Sequence, residues 1–378
     1  MPASRRARIV STAIVAALLA CAWGALGWAV GPVALQHDFL NIYTGASLAL
    51  EGRFGVLHDP AVQLEYERRL AGDIRVVVPF VRPAAYAAAL APLALIPFRA
   101  AFVVWVVLQC LLLGACLAWA CRRWGADALL WGMLSLPAAL GIAHGQDGPA
   151  MLAVACAGYE LSRRGRDGLA GAVWSLVLVK FHLWLFLPVA LAARRRWGML
   201  RGFACGGLAL AGVSIALGGL RGAENYVRLI TNNKLERLSP TPENMWNLQG
   251  IAANFRAGHA VFFAVAGAAV LLLAAAALRG APLWRTVAAA CTAGLLLVPH
   301  VYGYDATALL LPLWLTMSEA SAHWTRAAAA LFAAPLTPLA TLLGKPFAAI
   351  PALLLLLWLA ALALEGLRSG GPENSLPP

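Results

Sequence analysis

Charge is what this sequence has least of. Asp, Glu, Lys and Arg make up 12% of its 378 residues, about half the share in a soluble globular chain. That shortage excludes an ordinary water-soluble domain. Acidic residues are scarcer than basic ones, 17 against 29, which leaves a formal net charge of +12. The excess is not spread as a basic groove with interleaved aromatics, so nucleic acid is not an expected partner. There is no HExxH, no phosphate-binding Walker loop, no GxSxG and no CxxC pair, which removes the common zinc hydrolases, nucleotide hydrolases, serine hydrolases and dithiol proteins. Seven cysteines occur, Cys21, Cys110, Cys116, Cys121, Cys156, Cys205 and Cys291, all in or beside apolar runs. They read as small buried apolar residues, with no disulfide framework.

What the chain has in excess is apolar residues. They form 61% of it, and mean hydropathy is +0.75. That is a polytopic membrane protein. The Arg clusters fall between apolar runs: Arg5, Arg6 and Arg8; Arg122 and Arg123; Arg163, Arg164 and Arg166; Arg194 to Arg196. By the positive-inside rule they mark the cytoplasmic side. The first span, Ile9–Val30, follows a basic start and is long for a cleaved signal, so it reads as a signal anchor. Hydropathy and loop charge then predict an all-α bundle of about 12 crossings, with both termini cytoplasmic. Several runs are only about 11 to 14 residues, short of the roughly 20 that a spanning helix needs. Arg82–Phe98, with Pro83, Pro92 and Pro97, reads as a re-entrant or half-crossing helix; a full crossing would invert the topology after it, against the later basic clusters. Residues 1–368 are expected to form one membrane domain with two long extracytoplasmic loops, 31–81 and 221–258. Residues 369–378 read as a polar, disordered tail.

The stretch from His37 to Pro60 opens the first loop. Asp38 stands at the edge of a membrane segment, where an ionisable group is costly and a functional candidate. It is suited to act as a general base, or to cap the helix that begins near Phe39. Phe39–Leu50 has an amphipathic pattern, with Leu40, Tyr43, Ser47 and Leu50 on one face, and is expected to lie in the interface. Gly52 and Gly55 end it. Ala61–Leu70 reads as a second short helix.

Four further polar islands interrupt the apolar runs, and each has a plainer reading beside the functional one. His144-Gly145-Gln146-Asp147-Gly148 offers ligand groups, or is simply a hairpin turn. Lys180-Phe181-His182 sits among apolar residues. Lys180 is suited to hold a phosphate, or to snorkel. Ser239–Gly250 carries Trp246, Asn247 and Gln249, which suit sugar hydroxyls and C–H faces, or an ordinary surface loop. Pro299–Asp305 gathers His300, Tyr302, Tyr304 and Asp305. His300 is suited to bind phosphate or move a proton, while the tyrosines also fit interface anchors. Under the predicted topology all these islands face the side opposite the arginines. No Asp-X-Asp triplet occurs, so a metal-bound nucleotide-sugar site is not indicated.

Taken in order, these segments resemble the polyprenyl-phosphate-sugar-dependent transferases of glycosyltransferase family 87, in the GT-C superfamily. The resembling parts are Asp38-Phe39 with Tyr43, Gly52 and His58-Asp59-Pro60; Ala91-Pro92-Leu93-Ala94-Leu95-Ile96-Pro97; Gly145-Gln146-Asp147; Lys180, Pro188 and Arg194–Arg196; and Pro299, His300, Tyr304 and Asp305. Each is weak alone, and their order makes the case. Three positions depart from the pattern. Asp147 stands for the usual Asn, Phe181 for the usual Pro, and Arg82-Pro83 for a common Tyr-Pro-Pro. The resemblance implies a multi-pass inner- or plasma-membrane hexosyltransferase, mannosyltransferase-like, with its active site outside the cytoplasm. It implies a polyprenyl-phosphate-sugar donor, a glycolipid or glycan acceptor, and inversion. Asp38 would be the base, Lys180 and His300 the phosphate ligands, and Tyr43, His144, Gln146, Asp147, His182, Asn247, Gln249, Tyr304 and Asp305 the substrate contacts. No metal or cofactor is expected, since the phosphate already activates the donor. The rival readings are a lipid-linked sugar flippase, against which no repeat between the halves is seen, and an inactive subunit of an envelope-assembly complex.

Overall fold

The computed structural model describes residues 38–72, 77–231 and 241–369. The expected first span, His37 and Ser239 lie outside them, as does the tail beyond Ser369. The described residues are helical throughout, with no strand.

Helix α1 (Asp38–Leu50) opens the described chain, and α2 (Pro60–Ala71) follows, its N-terminus capped by the Asp59 side chain, which accepts from Ala61 N at 2.9 Å. The α1 sequence predicts an interfacial helix, and the structure differs. Phe39 to Ala46, Leu48 and Ala49 are all buried, and only Leu50 and the flanking glycine turn are well exposed. Phe39, Ile42, Tyr43 and Ala46 pack against Leu90, Ala101 and Trp105, while Leu48 and Ala49 pack with Leu57, Tyr66, Phe80, Ala84 and Ala87. The polar residues of the pattern are absorbed internally: Ser47 Oγ donates to the Tyr43 carbonyl at 2.9 Å. A helix packed against protein along most of its length does not present the single open stripe that an interfacial helix needs.

The Pro-rich run forms α3 (Ala84–Leu90) and a 3-10 turn over Ala91–Leu95. It is short, as its prolines predict. Then come the long helix α4 (Phe98–Trp124), the short pair α5 (Ala126–Met133) and α6 (Leu136–Ala143), and α7 (Gly148–Arg163). Next are α8 (Asp167–Trp174), a 3-10 segment over Ser175–Lys180, α9 (Phe181–Trp184) and α10 (Phe186–Ala193). Helix α11 (Trp197–Thr231) is broken at Gly219, where φ is +66°. Helices α8 and α11 cross backbone to backbone. A Cβ at Gly202 would stand 1.9 Å from the Gly168 carbonyl oxygen, so only glycine permits this approach.

The second half contains α12 (Leu248–Phe255), α13 (Ala260–Ala277), α14 (Leu283–Leu297), a 3-10 turn over Gly303–Leu309, α15 (Leu310–Glu319), α16 (His323–Ala333), α17 (Leu336–Leu339) and α18 (Ile350–Ser369). Helix α14 is buried along almost its whole length and forms the centre of the main core. Arg194 and Arg285 turn inward at one end of the bundle and donate to the carbonyls of Ala281 and Ala277.

Among the described residues four helices are long and apolar enough to cross a bilayer: Phe98–Trp124, Trp197–Thr231, Ala260–Ala277 and Phe347–Arg368. Three bent pairs raise the number to as many as seven. The expected twelve included the first span, which lies outside the described residues. Part of the remaining difference is visible at residues 167–193, where two runs read as separate crossings are one pair bent by 109°. The expectation for cysteine also needs correction, because Cys110 and Cys205 are exposed, on the apolar outer surfaces of α4 and α11.

Candidate active site

The site is built where four chain breaks meet. Each break begins or ends a helix, and each leaves polar groups that the surrounding apolar helices do not satisfy. Arg82 stands just before Pro83 and α3. Gln146 and Asp147 occupy the turn between α6 and α7. Lys180 ends the 3-10 segment before α9. Asp305 lies in the turn before α15.

These four breaks share one buried network. Arg82 Nε donates to Asp147 Oδ2 at 2.8 Å, Arg82 Nη1 to Asn41 Oδ1 at 3.1 Å, and Tyr86 Oη to the same Asp147 oxygen at 3.2 Å. Lys180 Nζ lies 3.1 Å from Asp147 Oδ1, 3.0 Å from Asp305 Oδ1 and 2.9 Å from Gln146 Oε1. The side chains of Arg82, Asp147, Lys180 and Asp305 are each at most 7% exposed. Burying four charges is tolerable only when each is paired and hydrogen-bonded. Two cations and two anions sum to zero. An ammonium has three protons, and Lys180 has three oxygens around it.

Local backbone explains the placement. Gly145 has φ of +70°, and a Cβ there would lie 2.6 Å from Phe39 Cβ. This left-handed turn brings the α6–α7 corner against the start of α1, where Trp105 Nε1 donates to the Gly145 carbonyl at 2.8 Å. Arg82 is held from behind by His58, whose Nε2 lies 2.8 Å from the Arg82 carbonyl oxygen. Burial lowers the His58 pKa, which favours the neutral ring. Asp305 also accepts from Tyr302 N at 3.1 Å.

Above this floor lies a more open layer. Asp38, in the first turn of α1, faces His144, with Nδ1 3.3 Å from Oδ2. An acid in the first turn suits the helix dipole. The His144 ring stands 5.8 Å from that of Tyr304, Tyr304 stands 5.9 Å from Tyr302, and Tyr302 meets His300 at 5.0 Å, edge to face. Lys180 Nζ is 5.9 Å from the Tyr304 ring centre. Asp38 acts electrostatically on Arg82, His300 and Tyr304, and His182 feels Asp305, Lys180 and His300. The structure therefore gathers Asp38, His144, Gln146, Asp147, Lys180, His182, His300, Tyr304 and Asp305 in one place.

Other sequence candidates lie elsewhere. Tyr43 is buried with its hydroxyl donating to the Ile96 carbonyl at 2.8 Å, a strut between α1 and the Pro-rich run. Asn247 is fully buried. Its Oδ1 caps α12 by accepting from Gly250 N at 2.9 Å, and its Nδ2 donates to the Val298 carbonyl at 2.7 Å. That leaves no free donor–acceptor pair aimed at a sugar. Gln249, two residues further on, is half-buried, and Trp246 is buried in the core. Sequence reasoning passed over Arg82, Asn41 and Tyr86 as site residues. The signal was a single Arg with no basic neighbour, set directly before proline in an apolar run.

The model of glycosyltransferase family 87 matches residues 80–299. The matched part holds Arg82, the 144–148 turn and Lys180, while Asp38, His300, Tyr304 and Asp305 join it only in space. No curated protein matches the chain, and no solved structure does. Matched over more than half its length, and with several apolar helices among its described residues, the chain belongs to glycosyltransferase family 87, a glycosyltransferase in a membrane setting.

Proposed function

We propose that this chain moves a sugar, mannose or a similar hexose, from a polyprenyl-phosphate carrier to a glycolipid or glycan acceptor outside the cytoplasm, with inversion. The acceptor oxygen attacks the anomeric carbon from the face opposite the phosphate. The bond from that carbon to the phosphate oxygen breaks, and its electron pair leaves with the lipid phosphate. The acceptor's hydroxyl proton passes to Asp38.

One observation carries the reading. Asp38 is a partly open carboxylate above a floor whose charges cancel. The floor therefore has no surplus cation for a diphosphate. A phosphodiester brings a single negative charge, which histidine donors and local dipoles can meet. His300 is exposed at the rim and suits direct phosphate contact. Lys180 already has three oxygens around it, so in this reading it holds the floor together and reaches the phosphate only if Asp147 or Asp305 gives way. His144, His182 and Tyr304 line the layer where donor and acceptor would lie, and Gln146 supports it from the floor. In the same reading the arginine clusters face the cytoplasm of an inner or plasma membrane.

The test is transfer from a radiolabelled polyprenyl-phosphate hexose in liposomes. Asp38→Asn is expected to insert and fold normally and to lose about 10²- to 10⁴-fold in turnover. Normal turnover in that variant removes Asp38 as the base. Broken helices around polar groups also suit transporters. Sugar-lipid scrambling without bond cleavage in the same liposomes would favour that second reading.

A further inference from the structure

The Asp38–His144 contact joins two helices at the open edge of the site. The His144 side chain is 31% exposed and that of Asp38 16%, whereas the floor beneath is closed. The separation of 3.3 Å is longer than the roughly 2.7–2.9 Å of a tight charge-assisted hydrogen bond, so the pair touches without being locked. His144 is fixed in direction. Its backbone N donates to the Leu140 carbonyl at 2.9 Å at the end of α6, Gly145 turns the chain immediately after it, and its ring leans on Tyr304.

The groups facing the pair are few. Tyr304 approaches from the turn before α15. Asp38 in turn acts electrostatically on Arg82 and His300. Asp147, Asp305 and Lys180 are engaged with one another in the floor. Asp38 is the carboxylate that meets the His144 ring.

We infer that His144 is the positioning partner of Asp38 and makes transfer sensitive to pH. The neutral ring donates Nδ1–H to Oδ2 and turns Oδ1 toward the acceptor hydroxyl. The hydroxyl proton moves to Oδ1 as the sugar bond forms, and is then released to water. His144 gains no proton in the cycle. When the solution protonates His144, the imidazolium holds the carboxylate more tightly and makes it a weaker base. This rests on the reading of Asp38 as the base, and adds to it a second residue and a control.

The experiment is a set of pH–rate profiles for the full-length protein in liposomes, with thermal unfolding as a check on folding. His144→Ala is expected to lower kcat by at least about tenfold, the scale of a misplaced reacting group, with donor KM changed less than about twofold. His144→Gln keeps a donor but does not titrate. It is expected to recover kcat to within about threefold of wild type, with the acid limb moved down by more than about one pH unit, toward the range of a carboxylate. Wild-type kcat and acid limb in His144→Ala would overturn the inference. So would a His144→Gln protein that is folded, no better than the alanine variant, and unshifted in pH. Full activity in Asp38→Asn would instead sink the base assignment itself, which separates the two failures.

Discussion

Arg82 and Asp147 stand 65 positions apart and meet with Nε 2.8 Å from Oδ2, both side chains closed to solvent. Both are departures from the pattern that the rest of the chain resembles, and they face each other. An arginine alone at that depth would carry an uncompensated charge, and so would the aspartate. Together they add nothing to the net charge of the site. The pair also ties the first loop to the α6–α7 corner, and through Asn41 it holds α1 one turn from Asp38.

Breaking that pair from one side should be costly. Arg82→Met leaves Asp147 with Lys180 as its one cation beside the Tyr86 hydroxyl and is expected to destabilise the protein by about 3–5 kcal/mol. Arg82→Met combined with Asp147→Asn restores charge balance and should cost less than the two single changes added together. Thermal unfolding of the four proteins in detergent gives the coupling. Simple additivity would mean that the two residues act independently.

Asn247 is expected to matter for stability and not for substrate. Asn247→Ala removes the α12 cap and should cost about 1 kcal/mol, with more if the Val298 carbonyl is left unpaired. Steady-state kinetics should show donor and acceptor KM unchanged. A KM increase of tenfold or more would return Asn247 to the sugar site.

Glu67 should make stability fall with rising pH. It is buried in α2, accepts from Val78 N at 3.1 Å, and burial raises its pKa from 4.5 to about 7. The folded state thus holds a proton that the unfolded state has already lost between those values. Stability from this group is full below about pH 4.5, declines through pH 7 and is then flat, with a span on the order of 2–3 kcal/mol. Glu67→Gln should flatten that slope in unfolding curves taken from pH 5 to 8. An unchanged slope would place the titration on another group.

Gly145→Ala tests the corner that brings His144 to Asp38. The new methyl group meets Phe39 Cβ in a left-handed backbone position. A loss of more than about 2 kcal/mol is expected, together with a fall in kcat, because α1 and its carboxylate must shift. A variant as stable and active as wild type would show that the corner relaxes freely.

Much of this protein could be read without coordinates. Hydropathy places it in the membrane, because about 20 apolar residues in a row have no other use. The polar islands at 144–148, 180–182 and 299–305 stand out for the same reason, since polar groups in apolar runs need partners. Who those partners are was not legible. Arg82 reads as a basic residue at a membrane edge until Asp147 appears beside it. Asn247 reads as a sugar ligand until the Val298 carbonyl and the Gly250 amide take up its side chain.

The sequence by itself determined the membrane class, the helical composition and the family, because these depend on hydropathy and residue order along the chain. Tertiary structure alone decided that α1 is buried along most of its length, that two runs read as separate crossings are halves of one bent pair, and that two cations and two anions cancel in one floor beneath Asp38. Those outcomes depend on which segments lie side by side. Periodicity describes a helix's own faces and is silent about what covers them, and the pairing of buried charges is a property of distance in space.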